Sequence, residues 1–208
     1  MESKKEINNN SYDYVDLELP SGTLWATCNV GASKPSESGL YFQWGDTSGY
    51  TEEQIGIGDG KKKFALDWSD YKWGVAPNFT KYKTYGTIIE LEGDAAHVNM
   101  GGDWHMPTPK QIQELIDNTT TDWTTQDGIN GKSFTSKSDS SKSIFIPATG
   151  IAWEGSVYGS GEGGFIWSST LNNGGIGNGQ VLACCSDSVS LFSYVGRFDG
   201  LPIRGVIG

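Results

Sequence analysis

The sequence predicts one α+β domain that is rich in loops and combines short strands with few helices. Glycine supplies 29 of the 208 residues, about twice its usual share. Apolar residues make up 36% of the chain and aromatic residues 12%, which is enough apolar mass for a packed core. Only one segment shows clear helical periodicity, so a helical bundle is not expected. We predict a flexible N-terminal tail over residues 1–11 and a single domain over residues 12–208.

Strands are predicted near the N-terminus. Residues 14–17 alternate between apolar and polar side chains, residues 20–22 form a turn, and residues 23–30 are rich in β-formers. We expect residues 34–37 to open a short helical turn. The aromatic run at 40–45 is typical of a strand, and the following residues to position 86 are predicted to be long loops.

The strongest helix signal lies at residues 108–118. Thr108, Pro109 and Gln111 stand at the N-cap, N1 and N3 positions of a capping box. Apolar residues then follow at positions 112, 115 and 116, which gives one apolar stripe. A shorter helix is predicted at 94–98.

After residue 120 the pattern changes to β. Strands are predicted at 123–125 and 131–135 around a turn at 127–131, and further strands at 143–147 and 165–170. No helical period occurs in this half of the chain. The predicted fold class is therefore α+β, with the helices confined to the first 120 residues.

Motifs for catalysis or metal binding are missing from the sequence. The two histidines, His97 and His105, have no G-x-S-x-G elbow beside them, and no C-x-x-C or H-E-x-x-H motif occurs. The glycine-rich segments 56–62 and 159–164 lack the spacing of a phosphate loop. Cys184 and Cys185 are adjacent, so in a strand they point to opposite faces, and we expect one buried and one exposed thiol. No enzyme activity and no cofactor are predicted; a structural calcium ion stays open, without a motif to support it.

Charge and hydropathy exclude several partners. The formal net charge of −10 disfavours a nucleic-acid partner, which needs a basic face. No apolar run reaches the roughly 18–20 residues of a membrane span. The first residues are polar, so no signal peptide is predicted: either the protein lacks one or it was removed from this sequence.

The C-terminal tail has its own composition. Lys, Glu, Met and Trp account for 35 of the first 170 residues, yet none of them occurs in residues 171–208. At the earlier rate about eight would be expected there. A β-rich tail explains a shortage of Lys and Glu, but not the loss of Trp from a chain with eight of them.

Segments along nearly the whole chain resemble a large family of gut-bacterial surface proteins, the major paralogous domain family. The similar segments are 15–32 (VDLELPSGTLWATCNVGA), 41–46 (YFQWGD), 94–99 (DAAHVN), 101–108 (GGDWHMPT), 166–170 (IWSST) and 200–206 (GLPIRGV). They occur in the order that the family has. The resemblance implies a C-type-lectin-like fold of the formylglycine-generating-enzyme type, with two helices around a twisted antiparallel sheet.

Fold alone does not define function, so the known uses of this fold are compared with the residues. The Glu-Pro-Asn, Gln-Pro-Asp and Trp-Asn-Asp motifs of calcium-dependent sugar lectins do not occur here. The oxidases of the formylglycine-generating branch need two separated cysteines, a spacing that Cys184 and Cys185 lack. The third use is the variable protein of a diversity-generating retroelement, in which AAC codons are randomised at their first two positions. Such codons cannot encode Lys, Glu, Gln, Met or Trp. If the tail is diversified, the codon of Gln180 must therefore be one that is not randomised.

The resemblance together with strand alternation predicts a variable ligand-binding region within residues 171–199. Leu182, Cys184, Val189 and Leu191 are expected to point inward. The residues expected on the outer, ligand-binding surface are Asn173, Ile176, Asn178, Val181, Ala183, Cys185, Ser188, Ser190, Phe192, Ser193, Tyr194, Val195, Phe198 and Asp199.

The predicted function is the non-enzymatic binding of a protein or glycan ligand on a cell surface. The protein would act on a phage particle or on a bacterial surface. Two alternatives stay open: an undiversified, adhesin-like surface module of the same family, and an oxidase of the formylglycine-generating branch.

Overall fold

Short strands dominate the structure. The computed structural model describes residues 12–57 and 63–208, so the predicted tail at 1–11 and residues 58–62 of the glycine-lysine segment lie outside the described residues. The strands within these ranges are β1 (Tyr14–Asp16), β2 (Leu24–Ala26), β3 (Thr119–Gln126), β4 (Ile129–Ser136), β5 (Ser143–Pro147), β6 (Ile151–Trp153), β7 (Ser156–Tyr158), β8 (Gly163–Leu171), β9 (Asn178–Cys185), β10 (Val189–Gly196) and β11 (Val206–Ile207). The helices are α1 (Ala95–Met100) and α2 (Pro109–Asn118), with 3₁₀ turns at Glu52–Gln54 and Leu91–Gly93.

The predicted α+β class, with two helices around one twisted antiparallel sheet, is wrong. Over the two described ranges, the α-helices have only six and ten residues, and the strands form four small antiparallel sheets. The sheet orders are β1-β2-β11, β3-β4-β5, β6-β7 and β10-β9-β8. In three of these sheets each strand pairs with its neighbour in sequence, because tight turns favour local hairpins over one large sheet. The fold is therefore largely β.

Helix α2 confirms the prediction from the capping box. The Gln111 N–H donates to the Thr108 hydroxyl at 3.3 Å, and the Thr108 N–H donates to the Gln111 side chain at 2.9 Å. Ile112 and Leu115 are buried on its inner face. Helix α1 begins after Asp94, whose carboxylate accepts a hydrogen bond from the His97 N–H at 2.9 Å.

The helical turn predicted at 34–37 is a single turn, closed by the Glu37 N–H, which donates to the Lys34 carbonyl oxygen at 3.1 Å. It does not continue into a helix. The Glu37 carboxylate accepts a hydrogen bond from the Ser33 N–H at 2.7 Å. This interaction, with the Ser33 hydroxyl, holds the pKa of Glu37 below its usual value.

The hairpin of β3 and β4 is longer than predicted, and its turn is shorter. Gln126 pairs directly with Ile129, which leaves Asp127 and Gly128 as a two-residue turn. Both turn residues have positive φ values, 51° and 82°, as a type I′ hairpin turn requires. The prediction of β5 at 143–147 is confirmed.

The sheet of β8, β9 and β10 separates two apolar clusters. On one face, Leu182 and Cys184 pack with Ile112 and Leu115 of α2. On the other face, Val181 packs with aromatic and aliphatic side chains of the second cluster. That second cluster covers only one end of the face, so the other end is open to solvent.

Two buried tryptophans stabilise the packing of β8 against the segment at 42–44. The Trp44 Nε1–H donates to the Ser168 carbonyl oxygen at 2.9 Å, and the Trp167 Nε1–H donates to the Phe42 carbonyl oxygen at 2.7 Å. Both rings are fully buried. Each indole therefore satisfies its polar group while its ring fills the core.

Candidate ligand-binding surface

The register of the sheet defines which side chains share its open face. Ala183 in the central strand lies opposite Phe165 on β8 and Ser190 on β10. Val181 lies opposite Phe192 on β10. Residues directly opposite each other in an antiparallel sheet point to the same face. We call this the outer face; it carries four of the predicted surface residues together with Phe165.

A shallow groove of about 230 Å³ crosses the open end of the outer face. Aromatic rings stand at both sides of it, with a small side chain between them. Its lining residues are Phe165, Ala183, Cys184, Cys185, Ser188, Ser190 and Phe192. An apolar floor with a few hydroxyl groups is typical of a site that contacts another molecule.

An aromatic pair stands beside the groove. Phe192 is 44% exposed and Tyr194 is 71% exposed. Their ring centroids are 5.8 Å apart, and the ring planes are inclined by 67°. Such rings give a large contact area while losing little side-chain entropy on binding.

A buried lysine of β4 stabilises the turn between β9 and β10. The Nζ of Lys132 on β4 donates to the carbonyl oxygens of Cys185 and Ser186, at 3.1 and 3.2 Å. Within the turn, the Cys185 thiol donates to an Asp187 carboxylate oxygen at 3.0 Å. This hydrogen bond helps to hold the pKa of Asp187 below its usual value.

The two adjacent cysteines occupy opposite faces of β9. Cys184 is buried, as predicted for one of the two thiols, but Cys185 is half-buried and not exposed. Burial raises the pKa of the Cys184 thiol to about 12. Because a thiol reacts and binds metal as the thiolate, burial disfavours the reactive form of Cys184 at neutral pH.

The loop at 172–178 is fixed by Arg197. This fully buried guanidinium donates to the carbonyl oxygens of Ile176 and Tyr82, at 3.1 and 3.0 Å, and to the Tyr71 hydroxyl at 2.5 Å. Its carbon lies 4.2 Å from the ring centroid of Phe79. The predicted surface residues Asn173, Ile176 and Asn178 stand on this loop, partly or fully exposed.

A second contact joins the loop to β10. The Asn172 side-chain amide donates to the Ser193 carbonyl oxygen, and its oxygen accepts from the Gly174 N–H at 2.8 Å. Ser193 itself is half-buried. The loop and strand thus border the outer face as one connected surface.

Two predicted surface residues are buried, and the prediction is wrong for them. Val181 is fully buried and Val195 is 4% exposed. Both lie at the end of the sheet that the second apolar cluster covers. Alternation put Val181 on the correct face, but that part of the face is packed against the core.

Phe198 and Asp199 are both half-buried. The ring of Phe198 packs on Trp68, with centroids 4.2 Å apart. Burial raises the pKa of the Asp199 carboxyl to about 7. Phe198 is therefore part of an aromatic cluster rather than a free contact residue.

Three residues important to this surface were missed from the sequence: Phe165, Lys132 and Arg197. Phe165 was predicted only as part of a strand. The one available signal for Arg197 was that both arginines of the chain lie in the C-terminal tail. Nothing in the sequence distinguishes Lys132 from the other lysines.

A larger groove of about 500 Å³ lies between the bend at 34–38 and the β3–β4 turn. We prefer the smaller groove because two of the three acidic groups that line the larger one, Glu37 and Asp127, are already hydrogen-bonded within the protein. Glu37 is bonded to Ser33, and Asp127 accepts from the Ser36 hydroxyl at 2.8 Å. None of the predicted surface residues lines it.

Over residues 12–57 and 63–208, no group of three or more His, Cys, Asp or Glu side chains is placed to hold a metal ion. No helix in this part of the chain has the length and apolar character needed to cross a bilayer. Comparison with protein-family models, curated proteins and solved structures gave no match.

Proposed function

We propose that this chain is a non-enzymatic ligand-binding protein, displayed on a bacterial surface or a phage particle. Its recognition surface is the open end of the outer face with the adjoining loop at 172–178. The observation that carries the proposal is the exposed pair of Phe192 and Tyr194 beside an apolar groove. This pair lies within the segment whose composition differs from the rest of the chain.

We further propose that a retroelement diversifies this surface. Of the fourteen residues predicted for it, all but Val181 and Val195 are at least partly exposed. All fourteen are residue types that a randomised AAC codon can encode. Gln180, which such a codon cannot encode, is buried and donates to the Leu171 carbonyl oxygen at 3.2 Å. That scaffold role supports a fixed codon at position 180.

The chemistry of the surface supports a protein or glycan ligand. Tyr, Phe, Ser and Asn dominate the fourteen predicted residues, and none of the fourteen is a lysine or an arginine. Antibody binding loops use a similar set, in which rigid aromatic rings supply contact area and small polar groups adapt. By contrast, the buried thiol of Cys184 gives no support to an oxidase.

The coding DNA tests diversification. We expect a nearby repeat of the segment that encodes residues 171–199, differing from it mainly where the repeat has adenine, beside a reverse-transcriptase gene. A genome with neither feature would refute diversification and leave an undiversified surface module.

A pair of matched variants tests the binding surface. The double variant Phe192→Ser/Tyr194→Ser is compared with Trp153→Ser/Tyr158→Ser, because Trp153 and Tyr158 form another exposed aromatic pair with centroids 5.9 Å apart. Arrays of bacterial surface proteins and glycans are screened with the unaltered chain first. We expect the first variant to bind the ligand so identified at least about tenfold more weakly, and the second to bind it normally.

Equal losses in both variants would contradict the proposed surface. A fold check by circular dichroism accompanies both. Since the four side chains are 42–71% exposed, we expect stability changes within about 0.5 kcal/mol.

A further inference from the structure

The two edges of the β8-β9-β10 sheet differ in how their backbone groups are satisfied. On the outer edge of β8, the Trp167 N–H donates to the Pro202 carbonyl oxygen at 3.2 Å, and the Ser169 N–H donates to that of Pro107 at 2.9 Å. Ile88 adds an antiparallel bridge to the same edge. The β8 edge is thus covered by other parts of the chain.

The edge formed by β10 is open. The Cys185 N–H donates to the Ser188 carbonyl oxygen at 2.9 Å, and the alternation of an antiparallel ladder from this pair turns Ser190 toward β9. Val189 and Leu191 then direct their N–H and C=O groups away from the sheet. In the part of the chain that the structure describes, nothing donates to or accepts from these outward groups.

The open edge also lacks the usual protection. Natural edge strands carry lysines, prolines or bulges that prevent pairing with another chain. β10 contains no charged residue and no proline. The bulge of β10 lies beyond Phe192, between Phe192 and Val195. Residues 189 to 192 pair with β9 in regular register, so this part of the edge has none of the three protecting features.

The charge of the chain indicates whether a second copy or a different protein pairs with the β10 edge. The chain has a net charge of −10, and the exposed Asp187 lies just before β10. A second copy of this chain would bring together two molecules that each carry a net charge of −10, whereas a segment with a basic residue would be attracted. The charge therefore favours a different protein over a second copy.

We propose that the ligand is a protein that adds an extended segment to β10 as a further strand, with a basic side chain beside Asp187. The backbone of Val189 and Leu191 supplies the main-chain hydrogen bonds, and the side chains on the outer face supply specificity. This inference rests on the proposed function and deepens it, because it selects a peptide rather than a glycan.

Hydrogen exchange on the whole chain tests the proposal, with the synthetic peptide Lys-Thr-Val-Thr-Val-Thr-Lys as the probe. In the free protein we expect the amides of Val189 and Leu191 to exchange faster than those of Ser190 and Phe192. Saturating peptide should slow the first two by about tenfold or more, since each gains a hydrogen bond. The same peptide with alternate amides N-methylated should give no slowing, and a version with Glu in place of Lys should bind more weakly.

Several outcomes would overturn the proposal. Unchanged exchange at Val189 and Leu191 with saturating peptide is one, and equal slowing by the N-methylated peptide is another. Slowing that depends only on protein concentration would assign the edge to a second copy. If the peptide shifts the ring resonances of Phe192 and Tyr194 without protecting the amides, the edge proposal fails while the proposed binding surface stands.

Discussion

Replacing Asp199 by asparagine should stabilise the protein at neutral and higher pH but not in acid. Asp199 follows β10, and its half-buried carboxyl has a pKa that burial raises to about 7. A hydrogen bond from the backbone of Gly196 opposes this shift without cancelling it. The asparagine side chain has nearly the same size as the aspartate side chain, but it does not ionise.

The sign follows from proton binding in the two states. An aspartate in the unfolded chain has a pKa of about 3.9, so the folded protein binds this proton more tightly. The free energy of unfolding then falls as the pH rises from about 4 to about 7 and levels off above that range. The difference between a pKa of about 3.9 in the unfolded chain and about 7 in the folded protein corresponds to about 4 kcal/mol. Because the side chain keeps some contact with water, we expect about half of that, ~2 kcal/mol.

Urea denaturation between pH 4 and pH 8 measures this effect. With a typical urea dependence of about 2 kcal/mol per molar, the midpoint of Asp199→Asn should lie about 1 M above that of the unaltered protein at pH 8. At pH 4 the two midpoints should be close. The control is Asp187→Asn, which removes an exposed carboxylate whose pKa is lowered. Coincident midpoints at pH 8, or an equal gain in the control, would refute the reasoning.

Three further predictions concern the scaffold and are measured by urea or thermal denaturation. Arg197→Lys should lose about 3 kcal/mol of stability, because an ammonium group cannot replace the forked, stacked contacts of a guanidinium; no loss would contradict this role. Gly179→Ala should lose about 1–3 kcal/mol, since the added Cβ would come within 2.5 Å of the Trp167 ring. Gly177→Ala, with no atom within 4 Å of that Cβ, is its control and should change stability by less than about 0.5 kcal/mol. Thr108→Ala should lose about 1 kcal/mol by removing the cap of α2, and an unchanged midpoint would count against it.

Elements with local signals could be predicted from the sequence. Helix α2 depends on Thr108 and Gln111, which are three residues apart, and β5 on an apolar run of adjacent residues. Which strands pair depends on contacts between distant residues, as between β11 and β2. Local patterns carry no information about that distant pairing. They also do not show that the hairpins between neighbouring strands stay in separate sheets, so the division into four sheets could not be predicted.

The candidate ligand-binding surface could be predicted only in part, because its burial also depends on contacts between distant residues. Alternation correctly assigned Ala183, Ser190 and Phe192 to one face. It could not show that the far end of this face is covered by the core, where Val181 and Val195 are buried. A period of two residues identifies a face of a strand, but only the tertiary structure determines what covers it.

The supports of this surface act on main-chain atoms. Lys132 binds carbonyl oxygens in the β9–β10 turn, and Arg197 binds the carbonyl oxygen of Ile176 in the neighbouring loop. Every residue type has that carbonyl group, so the side chains at these positions are not needed to keep the backbone in place. At positions such as Ile176 and Cys185, the backbone conformation therefore does not depend on which side chain is present. Substitutions on a surface built in this way can change its side chains and leave its backbone shape intact, so the surface can evolve new contacts on an unchanged scaffold.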